Sequence, residues 1–542
     1  MKGVCLCIHP FFSKSMSLCA IPSAQVIPEE SIFSGYESSH PLTVKHFKVM
    51  QDGTYWFQRL LTIESSFMRN VHEMPRQVIQ HVEKVQGQKE YDIIYGGGGL
   101  AIIHAALMAK VYGYSVCLFD KYGVGLTHRD WNISYQELLV LRDCGLFSEE
   151  QLQSFITCSY RSGFVKFHDA NSAIKTPHLW MDNVLDNALD ANALLAAARA
   201  IVIEHGGVIL DNAQFKSIEV DGRLASVHIL EHGTQKTLYT PLFIDGMGAF
   251  SPIAKALNPK APFTHCCPTV GTISSGFKTG TGEREVDFSV GEILVTNEDM
   301  LPDGRQLIWE GFPSSNNRFV TYLFFYDAID SPSDKSLLNL YELFFEKLSS
   351  YKEPGEHFDI GRPLFGIIPS YSHKALGNAR KSADDNILCI GDAAALSSPL
   401  SYCGFGSFVR NLPRMTQALH QVLQSKKLTV DSLKSINAFE SRVAIMSNFA
   451  AFLQGKKGQP SNTVNETMNL FMDVLASLPK HISQEVFRDT MQWESYNLMM
   501  STVPKRHPMS YKILIRTHGF WGLLRWALNF VGFTLSEKRK KS

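Results

Sequence analysis

The sequence predicts an α/β chain in which a parallel-sheet domain is interrupted by a strand-rich one and followed by a helical region. Three observations carry this. From residue 91 an apolar run, a glycine turn, a helical stretch and a second apolar run follow one another; within about 30 residues, that is the β-α-β unit of a parallel sheet. A second buried strand and turn of the same kind, NILCIGDAAA, comes only at 386–395. Between them, from 268 to 326, the chain reads strand after strand: VGTISSGF, FSVGEILVTN, RQLIWEGF, RFVTYLFFY.

In order along the chain, residues 1–48 are mixed and punctuated by Pro and Ser. Residues 55–88 have helical spacing (Trp56, Leu60, Ile63, Phe67, Val71, Val78, Val82), predicting one or two helices. YDIIYGGGG is a strand ending in four glycines, IIHAALMAKVYG a helix, and YSVCLFDK a strand closing on an acid. Residues 133–160 read as helical, 163–182 as alternating strand, and 184–205 as one long helix. A β-meander ending in a buried strand follows to 248, helix resumes at 334–350, and 405–500 is mostly helical.

Composition narrows the class. Of 542 residues, 45% are hydrophobic and 19% charged, as in a globular chain of several units. Long apolar spans are absent, which excludes a polytopic membrane protein. Lys plus Arg and Asp plus Glu are both 52, so there is no general basic field and no nucleic-acid partner is expected. The ten cysteines form no CxxC pair and the histidines no HxxH or HExxH, so no metal site is expected. His228-Ile229-Leu230-Glu231-His232 fits an inverted zinc pattern that needs a helix, but it alternates like a strand. So long a chain needs no disulfide framework, and a reducing compartment is expected. The N-terminal apolar stretch is broken by His9, Pro10 and Lys14 and reads as a terminal extension rather than a secretory signal.

Gly96-Gly97-Gly98-Gly99-Leu100-Ala101 fits G-x-G-x-x-G/A. Gly96 permits the tight turn, Gly98 lets backbone N–H groups approach a pyrophosphate at a helix N-terminus, and Ala101 is small enough for helix–strand packing. Asp120 ends the second strand and can accept from a ribose hydroxyl; an acid there favours FAD or NAD over NADP. The distant motif selects FAD. Asn386-Ile387-Leu388-Cys389-Ile390-Gly391-Asp392-Ala393-Ala394 resembles the late G-D motif of FAD enzymes with the p-hydroxybenzoate hydroxylase type of fold, where the Asp meets the ribityl or pyrophosphate region. Gly404-Phe405-Gly406 opens a helix whose positive end would favour an anionic reduced flavin, and Asp245-Gly246-Met247-Gly248 resembles the middle element of that family. The expected architecture is a Rossmann-type FAD-binding domain (90–162, 184–255 and 380–425) interrupted by a mixed β-sheet substrate domain (163–183 and 256–379). Residues 1–89 precede it as an extension with helices, and 426–542 form a helical, membrane-associating C-terminal region.

The segments between these motifs are more particular. Thr127-His128-Arg129-Asp130-Trp131-Asn132-Ile133-Ser134 resembles the R-x-W-N-I-S signature of Cru-type lycopene cyclases. The likeness continues through Gly163 to Asp169, Phe243 to Gly248, Pro268 to Thr272, Trp309-Glu310-Gly311-Phe312-Pro313, Pro369-Ser370-Tyr371, Pro399 and Cys403 to Ser407. It is strong over roughly 90–415 and looks closer to the CruA-type lycopene cyclase than to the CruP paralogue; Ala101 in place of the third glycine is the main departure. The resemblance implies a redox-neutral reaction with reduced FAD, in which lycopene and other carotenoids are the partners. A proton adds to a terminal double bond of a linear ψ-end, the cation closes a six-membered ring, and a ring proton is lost.

Such chemistry needs an acid beside an apolar tunnel, kept protonated by desolvation. Glu310, in an aromatic-flanked strand, is the first candidate and Glu292 the second. Arg129, Asp130 and Trp131 are expected near the flavin, against a helix-start network with Asn132 or Ser134 as caps; His128 and His168 read as structural. Two other functions fit the same motifs: a flavin oxidoreductase (monooxygenase or prenyl reductase) with net electron transfer, and a non-catalytic carotenoid-binding flavoprotein.

The C-terminal stretch Gly519 to Leu535 is rich in Trp and Phe and is followed by Lys538-Arg539-Lys540-Lys541. Arg525 and Asn529 make it a poor span. Attachment to the surface of an anionic leaflet through Gly519 to Lys541, at the cytoplasmic face, is expected, with a helix on the protein's own core or a single span as alternatives. Residues 501–542 hold nine Lys or Arg and one Glu, which leaves 43 basic and 51 acidic residues in 1–500. The neutral total is a cancellation between an acidic body and a basic tail.

Overall fold

In the computed structural model, which describes residues 29–259, 263–371, 380–396, 400 and 404–541, the glycine turn sits at the carboxyl end of an inner strand of a six-stranded sheet. The strands run Ala383–Asp384, Ile387–Cys389, Leu242–Asp245, Ile93–Gly96, Val116–Phe119 and Val208–Leu210, parallel except for the first pair. Ile93–Gly96, Val116–Phe119 and Leu242–Asp245 are buried at every residue because both faces of the sheet are covered. That is why they read as unbroken apolar runs. Helix Ala101–Lys110 covers one face with only Lys110 outside the core, flanked by Ala191–Glu204 and Gly404–Ser425. A four-stranded meander of Ile79–His81, Ala213–Val220, Ala225–Glu231 and Thr234–Thr240 covers the other. His228 and His232 accordingly sit on and just beyond a strand.

Three local expectations are corrected. Helix does not continue to residue 88: Gly53–His72 stops at His72, Glu73 is extended, and Pro75 follows. Ile79–His81 then pairs parallel to Ile218–Val220, so the end of the 1–89 segment belongs to the meander that covers the six-stranded sheet. Residues 133–160 hold three short helices (Tyr135–Leu138, Val140–Asp143, Glu149–Phe155) and then strand Ile156–Ser159. The long helix starts only at Ala191, because Asp190 caps it by accepting from Ala193 N at 2.9 Å, after strand Asn187–Leu189.

The second domain is one large sheet. Its order is Pro354–Ser370, His265–Phe277, Arg318–Phe324, Ile308–Ser314, Val290–Val295, Ser162–Lys166 and Leu179–Met181, with Asp327–Ala328 against the start of the second strand. Period-two alternation divides its side chains. Trp309, Leu323, Val270 and Phe365 pack with helices Gly53–His72 and Leu337–Tyr351. Ile308, Phe312, Val320 and Phe324 join the core shared with the C-terminal helices Ser441–Ala450, Thr463–Ala476, Lys480–Phe487, Trp493–Arg506 and Ser510–Lys541. The last helix is broken at Gly519 (φ 67°, ψ 176°). Residues 1–28, Pro399 and Cys403 lie outside the described residues.

Candidate functional site

The glycine turn is shaped by what it must pack against. Gly97 has φ 95°, and a Cβ there would stand 2.4 Å from the Gly246 carbonyl oxygen. A Cβ on Gly98 would meet Val124 Cα at 2.6 Å, and one on Gly246 would meet Ala101 Cβ at 2.7 Å. Gly246 N donates to Gly96 O at 2.8 Å, locking the two strand ends together. By contrast, nothing lies within 4 Å of a Cβ built on Gly99 or on Gly391, whose φ is 57°. Both glycines border open space beyond the carboxyl ends of parallel strands. Asp120 stands at the rim: Oδ2 accepts from Gly98 N and Oδ1 from Tyr122 N, both at 2.8 Å. Each oxygen keeps a lone pair for a ribose hydroxyl.

The other expected cofactor residues divide. Asp392 opens the short helix Gly391–Ala394, Gly404 approaches its Oδ1 to 3.8 Å from the Cβ position, and burial raises its pKa against the pull of Arg129. Asp245 is not a free ligand. It is fully buried, accepts from Met247 N at 3.0 Å and from the Ser251 hydroxyl, and burial pushes its pKa up to about 6. It holds the turn that backs the glycines. Gly406 faces inward too, its Cβ position 3.4 Å from both Arg410 and Glu137, an ion pair beneath the start of helix Gly404–Ser425.

Residues 129–132 join the two domains. Arg129 lies over Gly366, where a Cβ would collide with its guanidinium. Asp130 accepts from Arg362 Nη2 at 2.6 Å, and burial raises its pKa while Arg362 opposes the rise. Trp131 stacks on Phe405 at 4.5 Å and 20°. Asn132 Oδ1 accepts from the Tyr160 hydroxyl at 2.9 Å. Ser134 stands at the N-cap position of the helix that follows, and its N–H donates to Glu137 at 3.3 Å. The segment thus leads into a helix at Ser134 and ties the large sheet to helix Gly404–Ser425. His128 Nε2 donates to Phe365 O at 3.1 Å, and burial holds its pKa down at about 4, so it is neutral and structural.

The two candidate acids lie on opposite faces of the large sheet. Glu310 pairs in register with Tyr322, which in turn stands opposite Gly271. Paired residues share a face, and this is the face of Ile308 and Phe312, carrying Arg362 one strand beyond. The Glu310 side chain keeps a little solvent contact but is enclosed by protein. It has no hydrogen-bond partner among the described residues, and desolvation alone raises its pKa to about 8. Burial also pushes the flanking Tyr160 and Tyr322 phenols up, and the Glu310 charge adds to both shifts. Glu292 pairs instead with Gly311, the other face. Its Oε1 accepts from Lys352 Nζ at 2.5 Å in a nearly inaccessible ion pair, so it is withdrawn as a proton donor. Sequence reasoning missed Tyr322, Arg362 and Lys352. Alternation along RFVTYLFFY could have assigned Tyr322 to a face; nothing local marks the other two.

No protein-family model matches the chain, and no curated protein matches it. Solved structures do. A geranylgeranyl bacteriochlorophyll reductase-like protein from Thermoplasma acidophilum superposes with a TM-score of 0.57 at 12% identity, over 80% of this chain and 99% of that one. The halogenase PltM gives 0.52 at 13% identity, over 84% and 97%. PltM in complex with phloroglucinol and FAD gives 0.51 at 13%, over 77% and 86%. At these identities the likeness establishes the fold: this chain shares the mixed α/β fold of those structures.

Proposed function

We propose that the chain is an FAD-dependent lycopene cyclase that converts linear ψ-ends of lycopene to β-ionone rings, giving γ-carotene, β-carotene or both with no net redox change. The observation that carries this reading is Glu310: a carboxyl without a hydrogen-bond partner among the described residues, its pKa pushed up to about 8 by burial, on the sheet face that also carries Tyr322 and Arg362. A carboxyl that desolvation keeps protonated beside apolar walls is a group that can hand a proton to a C=C.

The residues present fit FAD. The glycine turn and Asp120 would hold the pyrophosphate and the adenosine ribose, and Gly391 with Asp392 would hold the ribityl region. When bound, reduced FAD supplies fixed negative charge that stabilises a nearby cation. The chain's own residues do the rest. Glu310 gives its proton to a terminal C=C, and the tertiary cation is captured by the neighbouring double bond, closing the ring. A ring C–H then breaks to form the new double bond, so one proton enters, one leaves, and the formula is unchanged. Tyr160, Tyr322 and Phe312 wall the acid and keep water from the cation.

Expression in a lycopene-accumulating bacterial host tests this and counts the rings; unchanged lycopene with folded, flavin-loaded protein sinks it. A second reading, an isoprenoid reductase or monooxygenase, is favoured by the fold likeness to the reductase-like protein. Anaerobic conversion by enzyme with pre-reduced FAD separates the two. Stoichiometric consumption of NAD(P)H or oxygen selects the oxidoreductase.

A further inference from the structure

We propose that the C-terminal helix is a monotopic anchor lying in the plane of an anionic bilayer, one long face on the protein and the opposite face in lipid. This goes beyond the cyclase reading and holds for any substrate.

The helix is docked on one side only. Trp526, Phe530 and Phe533 pack into the core shared with the other C-terminal helices, and the Trp526 indole donates to the Tyr496 hydroxyl. At about 100° per residue, Phe520, Trp521, Leu524, Leu528, Val531 and Leu535 fall within an arc of roughly 100° on the other side. All six are exposed, Phe520 by 70% and Trp521 by 77%. Arg525, the sole charged residue between 520 and 535, falls outside the arc. The stripe is about 23 Å long at 1.5 Å per residue, and such a contiguous apolar face marks an interaction surface. Met509, Tyr511 and Ile515, before the break at Gly519, are about half exposed as well.

Charge selects the occupant. Arg506 and Arg516 are engaged by Asp473 and Glu466, but Lys512, Arg525 and Lys538 are exposed and form no ion pair among the described residues. A second copy related by two-fold symmetry would set one strongly basic tail against another, which is repulsive. A surface of anionic headgroups over acyl chains takes the apolar stripe and the cations at its rim together. No helix among the described residues is long and apolar enough to cross a membrane, so the attachment is in the plane.

The test uses the full flavin-loaded chain with vesicles of phosphatidylcholine, alone or mixed with phosphatidylglycerol. Sedimentation is expected to show binding stronger by about tenfold or more with phosphatidylglycerol, weakening as salt is raised. The double variant W521E/L528E is expected to lose about tenfold or more of that binding. Brominated acyl chains are expected to quench the wild-type Trp fluorescence, and Trp521→Phe to remove most of the quenching. Both positions are exposed, so folding is not at stake, and the quenching reads the wild type directly. Equal sedimentation of the double variant, absence of bromine quenching, or a lipid-free dimer dissolved by the same substitutions would each overturn the proposal.

Discussion

Glu310→Gln keeps the side-chain volume and removes the proton. With a pKa of about 8 rather than the ordinary 4.5, about nine in ten Glu310 carboxyls are protonated at pH 7. Losing a general acid costs about 10²–10⁴-fold in rate, so pigment extracts from a lycopene-accumulating host should retain linear lycopene. Stability should move the other way. Because the folded-state pKa is raised, the carboxyl's contribution is complete below about 4.5 and is lost as pH rises towards 8. Glutamine does not ionise and escapes that loss. Taken whole, the shift is worth about 5 kcal/mol at pH 8, and water reaching the cleft reduces this to about 1–3 kcal/mol. Thermal melts at pH 5 and pH 8 check it: the variant should match wild type at the lower pH and exceed it at the higher. Wild-type ring formation by the variant, or an equal melting difference at both pH values, refutes the reasoning.

Wild-type activity should fall as pH rises through about 8, as Glu310 loses its proton; a flat profile from pH 6 to 10, with chemistry rate-limiting, would be incompatible with that role. Lys352→Ala should destabilise the fold by about 3–5 kcal/mol, because it strands Glu292 as a buried charge. Denaturant titration should show that cost largely recovered in a Lys352→Met/Glu292→Leu double variant, with activity per folded molecule preserved. Asp120→Ala should weaken flavin retention about 10–100-fold, read as flavin absorbance after gel filtration.

Those predictions rest on features of unequal visibility in the sequence. The glycine turn, the acid at 120 and the G-D motif were legible because a phosphate-binding turn is built from contiguous residues under strict steric demands. Glu310 could be chosen as the acid because aromatic neighbours in its strand implied burial. What separated it from Glu292 is a partner, Lys352, contributed by a helix end 60 positions away in the chain. Asp130 likewise meets Arg362 from a distant strand, and pairings across such separations leave no local periodicity. Ile79–His81 went unread as a strand because three residues, two of them polar, are too short to show alternation. Asp245 looked like a ligand from its motif. Its actual role, pinning the Met247 amide and the Ser251 hydroxyl, depends on a burial that only the assembled sheet creates.

The placement of Glu310 and Glu292 on opposite faces of one sheet also limits how this protein can change over time. Their surroundings differ because strand residues point alternately to the two sides, one towards Tyr322 and the other towards Lys352. Deleting or inserting a single residue between Leu307 and Glu310 would turn Trp309 to the face of Tyr322 and bury the acid against the helices. Side-chain replacement on the Tyr322 face leaves that sorting intact. Diversification of substrate range in descendants of this chain should therefore proceed by substitution within strand Ile308–Ser314, with length changes confined to the loops at its ends.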